Sequence, residues 1–181
     1  MKKYLSILTL FICSICIGQK ACPPKGDRPK EESQSLLKNR QWFPNKKKAK
    51  AYDLSILMKD GITDTGAIYV EAYITSAKIS GKEACQCHLD DPATKDYHIF
   101  IAAKKGDVLG THNQVIEVSR YSRKLDPSLT FAYVKSLVGH KVRIYGYTFM
   151  DTEHQNVIGS AHQWRKGVQE IHPVMGLQQL D

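Results

Sequence analysis

Two short stretches of this chain pair an acid with a histidine two residues on: Asp96-Tyr97-His98 and Glu170-Ile171-His172. In a β-strand, residues two apart share a face, so each stretch would present a carboxylate and an imidazole together. Imidazole titrates near neutral pH, which suits acid–base work. Carboxylate with imidazole is also a donor set for zinc and other first-row metals. Neighbouring strands lie about 5 Å apart, so side chains on one face of adjacent strands can converge. His98, Glu117 and His172 are therefore the candidate ligand-binding residues, and the candidate ligands of a divalent metal such as zinc. Tyr73 and Phe100 join the candidate ligand-binding set as aromatics flanking His98. The competing reading is an ordinary polar outer face, which a register error of one residue would scatter. His154 and His162 fall in a loop that leads into the last of these strands, and each is read first as solvent-facing.

Positioning these residues requires a sheet, and the hydrophobic pattern supplies one. Residues 67–79 alternate, with Val70, Ala72 and Ile74 on one side and Tyr69, Glu71, Tyr73 and Thr75 on the other. That period of two marks a half-buried strand. Residues 96–102 form a second strand with Ile99 and Ile101 inward. Residues 114–119 form a third, with Ile116 and Val118 inward. Asp126-Pro127 then reads as the start of a helix, with Asp as N-cap and Pro at the first helical position. Leu129, Ala132, Tyr133 and Leu137 recur at helical spacing until Gly139. Residues 141–150 alternate again, a polar loop follows, and residues 170–180 supply a fifth strand. Three strands, a helix and two strands is the order of an OB-fold, a five-stranded Greek-key barrel. Pro173 lacks an amide donor, so it should mark a bulge or an unpaired end of the fifth strand.

The chain begins with Met1-Lys2-Lys3 and an apolar run over residues 4–17, followed by a polar Gln19. This is the composition of a secretory signal peptide, residues 1–18, and implies a secreted or periplasmic protein. A lipoprotein anchor is the rival, although none of Cys13, Cys16 and Cys22 follows a convincing Leu-x-small sequence. Residues 19–65 form a basic arm with eleven Lys/Arg against six Asp/Glu, and residues 66–181 form the barrel domain with thirteen against twelve. The excess positive charge thus sits in the arm. A run such as Lys46-Lys47-Lys48-Ala49-Lys50 can attract nucleic acid or another polyanion, or can simply be a solvated segment. Within the arm, Ser35 to Arg40 reads as a short helix packed on the domain, and Trp42-Phe43-Pro44 as a staple.

Cys22, Cys85 and Cys87 remain once the leader is removed. In an oxidising compartment one disulfide is expected, joining Cys22 to Cys85 or Cys87 and leaving one thiol. The alternative is a metal held by Cys85-Gln86-Cys87-His88. Tyr69, Tyr73, Phe100, Tyr145 and Tyr147 could stack on bases or sugars from the outer face, as aromatics of this fold do. They could equally lie covered by the arm.

Several of these motifs together resemble an uncharacterised group of secreted bacterial proteins. They are Cys-Pro-Pro-x-Gly-Asp at 22–27, Leu-Lys-Asn-Arg at 37–40, Cys-x-Cys-His at 85–88, Asp-x-His-Ile at 96–99 and Glu-Ile-His-Pro-Val at 170–174. That group usually carries a Trp just before Glu-Ile-His-Pro; here the place is taken by Gln169, with Trp164 upstream. The resemblance implies a common module and supplies no mechanism. Two function classes follow. One is a secreted OB-fold-like binding module for a polyanion or nucleic acid. The other is a metal-dependent hydrolase of nuclease or phosphodiesterase type using His98, Glu117 and His172. The chain has no nucleophile elbow, Walker loop, HExxH or EF-hand loop.

Overall fold

A computed structural model describes residues 21–181 except 44, 108, 109 and 111. The expected signal peptide therefore lies outside the described residues, as does Pro44. The described residues form six strands: β1 (Lys50–Ala51), β2 (Ala67–Ile79), β3 (Tyr97–Ala102), β4 (Asn113–Val118), β5 (Lys141–Met150) and β6 (Gln169–Gln179). Their order is β1-β2-β3-β4-β6-β5, and β2 also pairs with β5. That extra pairing closes five strands into a barrel, with β1 as a short parallel addition along β2. β4 and β6 run parallel, the other barrel pairs antiparallel. This is the OB-fold connectivity.

β2 is long because it serves two partners. Ala67 to Tyr73 pair with β5, and Tyr73 to Ile79 pair with β3. Its alternation continues across both segments, so Ile68, Val70, Ala72 and Ile74 all enter the core. Ile99, Ile101, Ile116, Val118, Val142 and Ile144 meet them there. Leu54 and Leu57 of the short helix α2 (Leu54–Leu57) cover one part of this core.

The helical segment between β4 and β5 differs from expectation. It is two short helices, α3 (Arg120–Leu125) and α4 (Phe131–Ser136), with Ser119 and Thr130 as their N-caps. Asp126 instead accepts from the Ser128 amide at 3.1 Å, closing a turn between them. Pro127 disfavours helical geometry in the residue before it, and Asp126 is extended, with φ −131°. The chain then uses Thr130 as a second capping residue. Leu129, Val134 and Leu137 are buried, whereas Ala132 is exposed.

Pro173 sits at a register shift in β6. Thr148 pairs with Ile171 and Gly146 with Val174, so β6 carries one more residue than β5 over this interval. The bulge lets Ile171 and Val174, three apart, both face the core, while Glu170 and His172 face outward. The His172–Pro173 peptide is cis. Gly146 is required opposite the bulge, because a Cβ there would lie 2.5 Å from the Pro173 carbonyl oxygen.

The arm folds back over the barrel. Cys22 and Cys87 form a disulfide, with Cα atoms 5.7 Å apart, and Cys85 remains a buried free thiol. Helix α1 (Glu32–Lys38) then packs against β6 and against the 3-10 turn at Ala84–Gln86. The Asn39 side-chain amide donates to the Pro24 carbonyl at 2.8 Å and to the Cys85 carbonyl at 2.9 Å, pinning the end of this helix. Phe43 meets Tyr147 edge-on at 6.0 Å, and Tyr147 donates to the Trp42 carbonyl.

Candidate functional site

Register places the expected residues together. His98 stands directly opposite Glu117 in the β3–β4 ladder. One strand further, Ile116 pairs with Ile171, which sets Glu117 and His172 side by side on the outer surface. His98 Nε2 lies 3.1 Å from Glu117 Oε1, and His172 Nδ1 lies 3.2 Å from Glu117 Oε2. Glu117 therefore stands between the two rings. Asp96 Oδ2 is 3.3 Å from His172 Nε2, and Glu170 Oε1 is 3.4 Å from His172 Nδ1.

This surface is outward with respect to the barrel core but is not open to solvent. α1, the turn after β2 and Phe149 cover it. His172 is 1 % exposed and Asp96 and Glu170 are 0 % exposed. Phe149 meets the His172 ring edge-on at 5.8 Å. His98 retains 15 % side-chain exposure, and Glu83, reaching in from the turn, retains 23 %.

Four groups in the cluster were not legible as site residues. Glu83 Oε1 lies 3.2 Å from His98 Nε2. Lys38 is buried and places Nζ 3.7 Å from Glu83 Oε2 and 5.2 Å over the Phe149 ring. Its neighbours Leu36 and Leu37 are the residues that face out. Arg165, 0 % exposed, bonds Asp151 Oδ2 at 2.7 Å and the Gly167 and Val168 carbonyls, and approaches Glu170 Oε2 at 3.5 Å. Asp151 also receives His154 Nδ1 at 2.6 Å. A chain of alternating charges thus runs from His154 through Asp151, Arg165, Glu170, His172, Glu117 and His98 to Glu83 and Lys38.

Burial and charge work against each other along this chain. Burial alone would lower the pKa of His98, but Glu117 and Glu83 outweigh it and raise it to about 9. Burial likewise opposes protonation of His172, and Glu117, Asp96 and Glu170 raise it to about 10. Burial pushes Glu117 up to about 7, with Glu170 adding to the push and both histidines pulling the other way. Glu83 is held low despite burial, by His98 and by the Lys38 charge. Lys38 is held well above its ordinary value despite burial, chiefly by Glu117 and Glu83. Burial, aided by Asp96 and Glu83, pushes the Cys85 thiol up, which makes it a poor nucleophile.

Close approach does not mean that every group is satisfied. Both carboxylate oxygens of Asp96, Glu117 Oε2, Glu170 Oε2 and His172 Nε2 are buried without an aligned hydrogen bond. Donor atoms of Glu83, His98 and Glu117 lie within 4.8 Å of one another, and so do those of Asp96, Glu117 and His172. The expected trio of His98, Glu117 and His172 is thus divided over two groups that share Glu117. A cleft of about 460 Å³ opens beside the first group, lined by Arg28, Lys38, Lys82, Glu83, Cys85 and His154 among others.

The remaining candidates are placed elsewhere. Phe100 shares the His98 face but is buried under Trp164, with ring centroids 5.9 Å apart. Tyr73 lies far from His98: the β2 residue opposite His98 is Lys78, five positions on, or about 17 Å along a strand. Tyr73 instead faces Lys141 of β5. Cys87 is in the disulfide and His88 Nδ1 is 3.0 Å from Asp27 Oδ2, so Cys85, Cys87 and His88 do not form a zinc set. His162 is exposed.

No family model matches the chain, and no curated protein matches it. Among solved structures it is similar to one described as the crystal structure of yeast Stn1 and Ten1. The TM-score is 0.42 with 11 % identity, over 81 % of this chain and 69 % of that one. The fold assignment rests on the strand order above. Among the described residues no helix is long and apolar enough to cross a membrane.

Proposed function

We propose that the protein is a binding module for an anionic oligomer, single-stranded nucleic acid being the representative ligand, held on the outer face of β2 and β5. One observation carries this reading. Tyr69, Glu71 and Tyr73 of β2 stand opposite Tyr145, Arg143 and Lys141 of β5, forming two rows of outward side chains. Tyr69 and Tyr145 are 5.7 Å apart, the Arg143 guanidinium lies 4.9 Å over Tyr69, and Lys46 Nζ lies 5.7 Å over Tyr145. Glu71 holds both Lys141, at 3.1 Å, and Arg143, at 2.7 Å, so one carboxylate orients two cations. Tyr69 and Tyr73 are half-buried beside oriented cations, with Tyr145 buried next to Tyr69, and half-buried aromatics of this kind suit base stacking with phosphate contact. The adjacent lysine turn Lys46–Lys48 adds to the positive field. The disulfide and the signal-like leader favour an extracytoplasmic setting for this activity.

Fluorescence anisotropy with a labelled single-stranded oligonucleotide tests it. Saturable binding at low salt, weakened about tenfold or more by Arg143→Ala with Tyr69→Ala and falling steeply with added salt, is the expected result. Absence of binding at low salt refutes it.

A second reading is supported by a different observation, the acid–imidazole cluster at the edge of the cleft. It is a metal-dependent hydrolase acting on a phosphodiester. Release of nitrophenolate from bis(p-nitrophenyl) phosphate with added zinc or manganese, abolished by His98→Ala, would establish it; no release above the metal-only blank would dismiss it.

A further inference from the structure

We propose that Glu83, His98 and Glu117 form a binding site for one divalent first-row metal ion, zinc or manganese, behind Glu83 at the edge of the cleft beneath α1. The geometry points to this set and away from His172. Both Glu83 Oε1 and Glu117 Oε1 converge on the same nitrogen, His98 Nε2, at 3.2 and 3.1 Å. Ligands bonded to one zinc at about 2.0–2.2 Å stand about 3–3.5 Å apart, so each carboxylate is already near the required separation from the imidazole, and all three donor atoms lie within 4.8 Å of one another. His172 is arranged differently. Its Nε2 faces Asp96, whereas its Nδ1 faces Glu117 and Glu170. Its two ring nitrogens are directed at different carboxylates, which suits a fixed ring between anions rather than a lone pair aimed at an ion.

Several further features agree. Glu117 is 5 % exposed, and its Oε2 lacks an aligned hydrogen bond. With His172 Nδ1 3.2 Å behind it, that oxygen is steered so that Oε1 faces His98. Orienting contacts of this kind hold metal ligands in place. Glu83 lines the cleft and keeps 23 % side-chain exposure, so it offers a way in towards His98, which keeps 15 %, and room for an open coordination position, as catalytic zinc sites with three protein ligands have. The backbone is fixed on every side: His98 and Glu117 are ladder partners, and Glu83 precedes the turn that the Cys22–Cys87 disulfide ties down.

The sequence concealed this site because Glu83 lies in a connecting segment without periodicity, four residues beyond the end of β2. One group opposes the ion. Lys38 Nζ stands 3.7 Å from Glu83 Oε2, and its charge acts on Glu117 as well. Its removal should therefore strengthen metal binding. The site is separate from the β2–β5 face, so either can exist without the other, and it would supply the ion that the hydrolytic reading requires.

Isothermal titration of the metal-stripped, disulfide-intact protein with zinc chloride and with manganese chloride tests the proposal. Glu83→Gln, His98→Asn, His172→Gln and Lys38→Met are compared, with far-ultraviolet circular dichroism confirming that each is folded. The expected result is one equivalent bound by the wild type. Glu83→Gln and His98→Asn should weaken it by more than about 100-fold, His172→Gln by less, roughly 10- to 100-fold, through loss of orientation, and Lys38→Met should tighten it. Glu83→Gln keeps the size of a partly exposed side chain, so its result does not depend on the tolerance of the other positions. No saturable binding by the wild type overturns the proposal. So does binding that survives Glu83→Gln but is lost in His172→Gln, which would place the ion at Asp96 and His172. Neither outcome bears on oligonucleotide binding by the β2–β5 face.

Discussion

His98 and Glu117 are ladder partners in β3 and β4, and the imidazole Nε2 of one lies 3.1 Å from the carboxylate Oε1 of the other. Because they are paired through the backbone, their separation is set by strand spacing and not by a loop. Everything else in the cluster is brought to this pair: Glu83 by the turn after β2, His172 by the bulged last strand and Lys38 by the arm.

Glu117 is the hub of the charged cluster, and truncating it should destabilise the fold. Glu117→Ala would leave His98 and His172 facing each other across a buried gap without the carboxylate between them. Removing one partner of a buried ionic group costs about 3–5 kcal/mol. Urea unfolding of the alanine variant should show a loss of that order, and an unchanged midpoint would mean that the cluster contributes no net stability.

The disulfide closes a long segment, since Cys22 and Cys87 are 65 residues apart. Chain-entropy reasoning gives about 4 kcal/mol for a loop of this size. Cys22→Ser should lower the melting temperature markedly and release α1, whereas Cys85→Ser should leave the arm in place. Iodoacetamide should label Cys85 of the native protein very slowly, because this thiol, free among the described residues, is buried and its pKa is pushed up. Rapid labelling of Cys85 in the folded protein would contradict this arrangement.

The loop before β6 carries a pH-sensitive pair at its edge. Asp151 raises the His154 pKa by a hydrogen bond, partly offset by burial. A raised histidine pKa means that this pair's contribution is fully present below the unfolded value of about 6.5 and is lost as pH rises through the folded value. Burial acts to raise Asp151, but His154, Lys38 and Arg165 hold it low. Its contribution is present above about 3.9 and lost as pH falls through its lowered folded value. Proton NMR titration should find His154 above its ordinary value in the wild type and closer to it in Asp151→Asn. Equal titration in both proteins would show that the contact is not maintained in solution.

Much of the barrel could be read from period-two patterning, and the reason is physical. Val70, Ala72 and Ile74, read as one side of their strand, and Ile99, Ile101, Ile116 and Val118, read as inward, all lie in the core. Pro173 signalled its own bulge because it has no amide to give to a ladder. The helical segment was misread because Asp126-Pro127 looks like a cap and a first turn, while Thr130 four residues later performs that role. The cluster was only half legible. Strand residues such as His98, Glu117 and His172 inherit their direction from the pleat, so spacing placed them on one face. Glu83, Lys38 and Arg165 arrive from a turn, an arm helix and a loop, where no period specifies direction. Lys38 was hidden further because it follows two leucines that would ordinarily be assigned the buried side of α1.

The aromatic candidates show the same limit. Tyr73 and Phe100 both point outward as their alternation requires, yet one faces β5 and the other lies under Trp164. Outward direction alone does not say which part of a closed barrel a side chain occupies. Strand pairing decides that.

The most direct test of the metal position is anomalous diffraction from crystals grown with zinc, recorded on both sides of the zinc absorption edge. The arrangement predicts a single strong peak within bonding distance of His98 Nε2, with Glu83 and Glu117 oxygens beside it. No zinc peak in the cluster, or a peak beside Asp96 and His172 with His98 still bonded only to carboxylates, would contradict it.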